Sequence, residues 1–263
     1  MHIDSVSAPL LVDRLPSGVV VLTLNRPDRL NAVDWPLYQL FVGALEDISR
    51  DRAVPAVIIR GAGRAFCAGG DISFMKQMYE GEIDKAAVQD LQIRFFNTQM
   101  GLPQPTIAVV DGPAIGLGCT FALSCDLVFA GENARFADPH AQVGLVPGDG
   151  GALLWPLLVG PARAKEFLFT GDVVRAAEAY RIGLVNHVYP SDEVFDRAVQ
   201  FAERLARGPI ATIQAIKSLT NQTTRALSEQ FIRAGMAMES VSQESEYHRR
   251  AVKAFLAGDP VAF

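Results

Sequence analysis

The sequence lacks the features that mark several large protein classes. Its 263 residues include three cysteines, Cys67, Cys119 and Cys125, without CxxC spacing or nearby paired histidines, so neither a disulfide framework nor a metal site is predicted. No apolar run is long enough to span a membrane and no leader segment is recognisable, which predicts a cytoplasmic protein. The net charge is -5 and no long Lys/Arg run occurs, so neither nucleic acid nor a membrane surface is expected as a partner.

The composition is that of an ordinary soluble protein, with 49% hydrophobic and 20% charged residues. Short β-branched runs predict buried strands at residues 19–24, 56–60, 106–110 and 127–130. Helical spacing predicts a helix over residues 36–51, with Asp34 as its cap and Pro36 in its first turn. Further helices are predicted over residues 192–207, 209–220 and 227–256, with a break near Ser240. These patterns indicate an α/β core over residues 1–190, followed by a helical region over residues 191–263.

Two glycine-rich turns each follow a predicted strand. The first is GAGRAFCAGGD at residues 61–71, and the second begins DGPAIGLGC at residue 111 and leads into an apolar stretch over 119–123. Small residues let a backbone approach a ligand and leave peptide N–H groups unpaired, as an anion or oxyanion site requires. Glycines that merely form tight turns are the alternative explanation for either segment alone.

Several longer segments resemble the enoyl-CoA hydratase/isomerase, or crotonase, family in the right order. They are NRPDRLNAVD (25–34), AFCAGGDI (65–72), TIAVVDGPAIGLGC (106–119), CDLVFAGENARFADPHAQVGLVPGDGG (125–151) and GPARAKEFLFTGDVVRAAEAYRIGLVNHV (160–188). The resemblance implies a spiral of ββα units whose helical C-terminal region serves trimer or hexamer assembly. It also implies an acyl-CoA substrate, with coenzyme A as part of that substrate and no separate cofactor or metal.

The resemblance also implies site residues. The oxyanion donors correspond to the backbone N–H groups of Ala68 and Leu117, where Leu117 replaces a usual glycine. Thr120 and His140 stand at the two positions where hydratases carry catalytic glutamates. Asp149, nine residues after His140, stands where the family has a small residue. A carboxylate beside an imidazole fixes its tautomer and strengthens it as a base, so a His140–Asp149 base is expected.

Several functions are compatible with this pair. The first is a hydratase or isomerase that uses His140 as its base. The second is a hydrolase of β-diketone carbon–carbon bonds, because 6-oxocamphor hydrolase and similar enzymes pair a histidine and an aspartate at these positions, with another histidine in place of Leu117. The third is a non-catalytic acyl-CoA-binding homologue. Without the family resemblance, His140 would be a loop histidine and Asp149 a turn residue.

Two segments are implied to bind coenzyme A. One corresponds to a loop that contacts the cofactor portion of the substrate, and the other to a segment that meets its adenine and pantetheine through the backbone. The residues concerned are Asp28, Arg29 and Leu30 in the first segment, and Ala65, Ala68 and Asp71 in the second. The apolar residues between 72 and 104, such as Phe74 and Phe96, fit an acyl-pocket wall and an ordinary core stripe equally well.

Overall fold

The computed structural model describes residues 8–257, so residues 1–7 and 258–263, at the ends of the two predicted regions, lie outside the described residues. Within this range a six-stranded sheet is formed by β1 Leu10–Arg14, β2 Val20–Leu24, β3 Val57–Gly61, β4 Thr106–Val110, β6 Leu127–Gly131 and β9 His187–Tyr189. The strand order is β1-β2-β3-β4-β6-β9, with β1 and β2 antiparallel and all other neighbours parallel. The four predicted strands are thus confirmed, whereas β1 and β9 were not predicted.

A second sheet, with three strands, lies beside the first. It consists of β5 Pro113–Ile115, β7 Arg135–Ala137 and β8 Val174–Arg175. The chain places β4 in the large sheet and β5 in the small one before helix α4 (Leu117–Leu123), and then repeats this with β6, β7 and helix α5 (Gly151–Val159). These repeats are the spiral of ββα units that the resemblance implied, and the α/β fold class is confirmed.

The large sheet is buried on both faces, as a mostly parallel sheet requires. Leu22 and Leu24 pack into the larger apolar cluster, whereas Val19 and Val21 pack on the opposite face against helix α8 (Val194–Ala206). The alternation follows from the two-residue period of a strand. Because β3 and β4 are parallel neighbours, the turns that follow them leave the sheet at the same edge.

The first helix matches its predicted signals closely. Helix α1 spans Trp35–Arg50, and the Asp34 side chain accepts a hydrogen bond from the Leu37 N–H at 2.9 Å. Helices α2 (Ile72–Glu80) and α3 (Lys85–Gly101) were not predicted. Phe74 on α2 and Phe96 on α3 are buried, so both contribute to the core.

Two further helices precede residue 191, namely α6 Pro161–Thr170 and α7 Ala176–Arg181. Four lie in the predicted C-terminal region, namely α8 Val194–Ala206, α9 Ile210–Thr220, α10 Gln222–Gln243 and α11 Glu246–Ala257. The break predicted near Ser240 lies four to five residues later, between α10 and α11. Helix α8 packs on the sheet, so it forms part of the core layer. That the region from residue 191 serves assembly stays a prediction. Within residues 8–257, no helix combines the length and apolarity needed to cross a membrane.

Candidate active site

The two glycine-rich turns run side by side in the structure. The Cys67 N–H donates to the Pro113 carbonyl and the Ile115 N–H donates to the Cys67 carbonyl, each at 3.0 Å, which forms a parallel bridge between Cys67 and Ala114. Gly118 makes this approach possible, because a Cβ atom there would lie 2.3 Å from the Cys67 carbonyl oxygen. The turns therefore form one continuous backbone surface.

The structure contradicts one predicted oxyanion donor. The Ala68 N–H already donates to the Leu30 carbonyl at 3.0 Å, so it is not available to a ligand. The Val33 N–H donates to the Gly69 carbonyl at 2.7 Å, and the Asp71 N–H donates to the Val33 carbonyl at 2.8 Å. These two bonds form another parallel bridge, between Val33 and Gly70. Because N–H directions alternate along an extended chain, the N–H of Gly70 points away from Val33. Gly70 thus replaces Ala68 as the candidate donor in the first turn.

The candidate donor in the second turn is Leu117, the residue that the family resemblance implies. Leu117 begins helix α4, where the first N–H groups have no acceptor within the helix. Its side chain packs against the core cluster. Cys67 and Ala114 are paired in the bridge between the turns. Gly70 follows Cys67 by three residues and Leu117 follows Ala114 by three, so the two candidate N–H groups lie at equivalent positions in the two turns. Two amide donors at a helix N-terminus suit a carbonyl that gains negative charge.

The His140 ring lies against the second turn. His140 belongs to a 3-10 helix at Pro139–Val143 that directly follows β7. A Cβ atom on Gly116 would lie 3.6 Å from Cε1 of His140, which places the ring edge next to the residue before Leu117. The His140 side chain is only 14% exposed. An imidazole is therefore held beside the candidate carbonyl site.

Each ring nitrogen of His140 faces a carboxylate. Nδ1 pairs closely with Oδ1 of Asp138, the residue that caps the 3-10 helix. Nε2 lies 3.6 Å from Oδ2 of Asp149. The carboxylate that orients the ring is thus Asp138, whereas Asp149 lies on the side of the nitrogen that remains for chemistry. Asp138 is 1% exposed and was missed in the sequence, although an aspartate immediately before a helical turn is a common cap signal.

Asp149 is fixed by contacts from several directions. Its backbone carbonyl accepts a hydrogen bond from Nε2 of Gln92 on α3 at 2.7 Å. The nearby Gly151 N–H favours its charged form. Among the described residues, however, neither Oγ1 of Thr120 nor Oδ1 of Asp149 has a hydrogen-bond partner, although both atoms are buried. Thr120, which replaces a glutamate of hydratases, is buried beside this carboxyl, because a Cβ atom on Gly150 would lie 2.9 Å from its methyl group.

The charges of the three groups are strongly linked. Burial alone would lower the pKa of His140, but the carboxylates of Asp138 and Asp149 outweigh it and raise this pKa well above its usual value. Burial raises the pKa of Asp149, which the positive charge of His140 partly offsets. The positive charge of His140 is therefore favoured, and the Asp149 carboxylate is a stronger base than that of an ordinary aspartate.

A further carboxyl reaches this site from helix α10 and was missed entirely in the sequence. Glu239 lies against the turn that carries Asp149, because a Cβ atom on Gly148 would lie 3.1 Å from the Cβ atom of Glu239. Glu239 is 9% exposed. Burial, followed by the negative charge of Asp149, raises the pKa of Glu239 to about 8. No motif signals this residue, because its place in the site depends on how a distant helix crosses the Asp149 turn.

The predicted coenzyme A residues of the first segment lie together on the surface. Asp28 and Arg29 are exposed within a 3-10 helix at Pro27–Arg29, and Leu30 follows it with a positive φ of 52°. Because Leu30 also accepts the Ala68 hydrogen bond, this loop is anchored directly to the first glycine-rich turn. A ligand on the loop would therefore lie next to the turn.

The predicted residues of the second segment are engaged within the protein. The Ala65 carbonyl accepts a hydrogen bond from the Asn31 side chain at 2.8 Å. Asp71 caps α2 and pairs with Arg26 at 3.0 Å, so its carboxylate holds the loop and helix together. Ala68 uses its N–H as described above. The structure thus gives Ala65 and Asp71 supporting contacts within the protein.

A metal would find few ligands at this site. Asp138, His140 and Asp149 offer ligand atoms within 4.8 Å of one another. However, Nδ1 of His140 is already paired with Asp138, which leaves Nε2 and Asp149 as two ligands on the open side. A surface groove of about 400 Å³ between α3 and α10 lies elsewhere and contains the exposed Arg225–Glu229 pair.

Comparisons with known proteins agree with this arrangement of the chain. The sequence model of the enoyl-CoA hydratase/isomerase family matches residues 14–262. The chain is 35% identical to a 2,3-dehydroadipyl-CoA hydratase of Escherichia coli (strain K12) over 251 residues, which cover 94% of this chain and 95% of that protein. A 1,2-epoxyphenylacetyl-CoA isomerase of the same organism is 31% identical over 255 residues, with coverages of 94% and 95%.

A solved structure shows the same relationship. An enoyl-CoA hydratase/isomerase from Mycobacterium paratuberculosis superposes with a TM-score of 0.89 at 33% identity, over 93% of this chain and 97% of that chain. The chain therefore belongs to the enoyl-CoA hydratase/isomerase family, and it is an enzyme of the hydratase/isomerase type.

Proposed function

From this family membership, we propose that the protein binds a 2-enoyl-CoA thioester and adds water across its double bond, with His140 and Asp149 as an acid–base pair. The observation that supports this proposal most directly is the geometry of the pair. Nε2 of His140 and Oδ2 of Asp149 are 3.6 Å apart, so one water molecule beside them can bond to both groups. The pair borders the turn that carries the Leu117 N–H.

In the proposed mechanism, the N–H groups of Gly70 and Leu117 hold the thioester carbonyl. Asp149 takes a proton from the bound water, and the resulting hydroxide forms a bond to the β carbon. The electron pair of the double bond moves into an enolate, which the two amides stabilise. The His140 imidazolium then delivers its proton to the α carbon, and the proton on Asp149 returns to His140. The net change is the addition of one water molecule.

Asp138 has an orienting role in this mechanism. Its pairing with Nδ1 keeps the ring fixed and compensates the positive charge of the imidazolium. Nε2 is then the nitrogen that exchanges protons. The proposed reaction uses coenzyme A only as part of the substrate and draws on no separate cofactor.

The test is the loss of conjugated-thioester absorbance with 2-enoyl-CoAs of graded acyl length. Wild type should consume at least one length class, whereas His140→Ala should lose this activity by at least about a hundredfold, the lower range for a general acid or base. His187→Ala is the matched control, because His187 lies exposed on β9. No consumption by wild type at any length would contradict the proposal.

A second candidate function is hydrolysis of a β-diketone carbon–carbon bond. Thr120 and His140 occupy the two positions where hydratases carry glutamates. The site therefore has the imidazole of His140 and the carboxylate of Asp149 in place of paired glutamates. A water activated by this pair would attack a ketone while the amides receive the enolate that leaves. Cleavage of cyclic β-diketones without any hydration of 2-enoyl-CoAs would favour this alternative.

We also propose that the chain assembles into a homotrimer or hexamer. Five large apolar side chains between α5 and α7 are 41–67% exposed on a single chain, which favours a covered surface there. They are Leu157, Leu158, Phe169, Val173 and Tyr180. Light scattering at micromolar concentration tests this, and a monomer would contradict it. The cytoplasmic location stays a prediction.

A further inference from the structure

Helix α10 crosses directly over the turn that carries Asp149. The closest approach is between two glycines, because a Cβ atom on Gly148 would lie 2.2 Å from the Gly235 carbonyl oxygen. Glu239 follows Gly235 by one helical turn, which places its side chain on the same face of α10. A Cβ atom on Gly148 would also lie 3.1 Å from the Cβ atom of Glu239, so this residue meets the turn beside Asp149. A residue 90 positions after Asp149 in the chain thus packs against the turn that holds this proposed catalytic residue.

The surroundings of Glu239 contain more acids than bases. The groups that act on it are Asp149 from the turn, and Asp138 and His140 from the 3-10 helix. It also acts on the buried hydroxyl of Tyr38 from α1. If every carboxyl were ionised, three negative charges would face one imidazolium.

The hydrogen bonding of these carboxyls is also incomplete. Among residues 8–257, Oε2 of Glu239, Oδ1 of Asp149 and Oδ2 of Asp138 are buried without a hydrogen-bond partner. Buried carboxylate oxygens without donors are costly. A proton on Glu239 removes one charge and adds an O–H donor to the cluster. The raised pKa of Glu239, about 8, agrees with this state at neutral pH.

We propose that Glu239 is a positioning residue that acts through Asp149 in its protonated form. Its neutral carboxyl holds the backbone of the Asp149 turn under α10 and keeps a third negative charge away from the enolate. Ionisation of Glu239 would add that charge beside the developing enolate and slow the reaction. This role depends on the function proposed above, and it makes helix α10 a part of the active site.

The kinetic test compares the pH dependence of kcat in wild type, Glu239→Gln and Glu229→Gln. Glu229 is the matched control, because it lies on the same helix and its side chain is 57% exposed. Wild type and Glu229→Gln should lose kcat as the pH rises through about 8. Glu239→Gln, which cannot ionise, should keep kcat within about fivefold of wild type at pH 7 and lose this alkaline decline. The same decline in Glu239→Gln would overturn the proposal.

A second measurement does not depend on turnover. Carbon-13 NMR of protein labelled at the glutamate carboxyl should show a protonated carboxyl at pH 7 in wild type and in Glu229→Gln. The signal should be missing in Glu239→Gln, and in wild type it should titrate near pH 8. An ionised Glu239 at pH 7 would overturn the inference even in an active enzyme. If the labelled carboxyl behaves as expected while no enoyl-CoA is consumed, the failure belongs to the proposed reaction.

Discussion

Replacement of Asp138 by asparagine isolates the charge that orients His140. The amide keeps an oxygen that can cap the 3-10 helix and retains nearly the same volume, so the fold should persist. The imidazolium loses a charge-assisted hydrogen bond, a contribution of about 1.5 to 3 kcal/mol. At about 1.4 kcal/mol per pKa unit, the pKa of His140 should fall by roughly one to two units. The variant should therefore release the His140 proton at lower pH than wild type.

The assay combines nitrogen-15 NMR titration of His140 with kcat at saturating substrate. In Asp138→Asn the His140 titration should move down, and kcat should fall about 10- to 100-fold, because the imidazolium is less favoured and the ring is held less firmly. Asp172→Asn, an exposed aspartate, serves as the control. An unchanged His140 titration with wild-type kcat would refute the assignment of Asp138 as the orienting carboxylate.

Three further perturbations test the supports of the site. Gly118→Ala should abolish activity in assays of folded protein, because its Cβ atom would lie 2.3 Å from the Cys67 carbonyl and force the turns apart; wild-type kcat would contradict this. Arg26→Ala should lower the free energy of unfolding by about 2–4 kcal/mol in urea titration, because Arg26 pairs with the buried Asp71, and a loss below about 0.5 kcal/mol would argue against it. Folded Glu239 has a raised pKa, so its proton stabilises the fold below about pH 4.5 and this stabilisation declines as the pH rises through about 8. Glu239→Gln should remove that decline in thermal melts at pH 5 to 9, and parallel curves for both proteins would contradict it.

The sequence predicted the strands that carry the site because their signals are local. The run at residues 106–110 is β-branched, apolar and flanked by proline and glycine, and it forms β4 at the predicted bounds. Helix α3 was missed because it has almost no amphipathic stripe, since several of its polar residues, such as Gln92 and Gln99, are buried and hydrogen-bonded. Their placement depends on partners that are distant in sequence.

The site residues also divide into those that local sequence identifies and those whose role depends on contacts that are distant in sequence. Leu117 and His140 were located by their position in family motifs, which local sequence preserves. The error at Ala68 arose because the choice between neighbouring N–H groups depends on the Leu30 carbonyl, a contact across 38 residues that no spacing rule reports. Asp138 was visible in the sequence, but only the ring orientation shows which aspartate faces which nitrogen of His140.

A histidine at this position depends on carboxylates from separate parts of the chain. Burial by itself would lower the pKa of His140 and leave a neutral ring without a proton to deliver. Asp138 and Asp149 reverse this effect, and each buried carboxylate in turn needs the imidazolium as its counter-charge. A third carboxyl, Glu239, can enter the same cluster only if it stays neutral. The change from glutamate to histidine at residue 140 is therefore one part of a linked set of charges, and the set accounts for an acid in a turn where the family has a small residue.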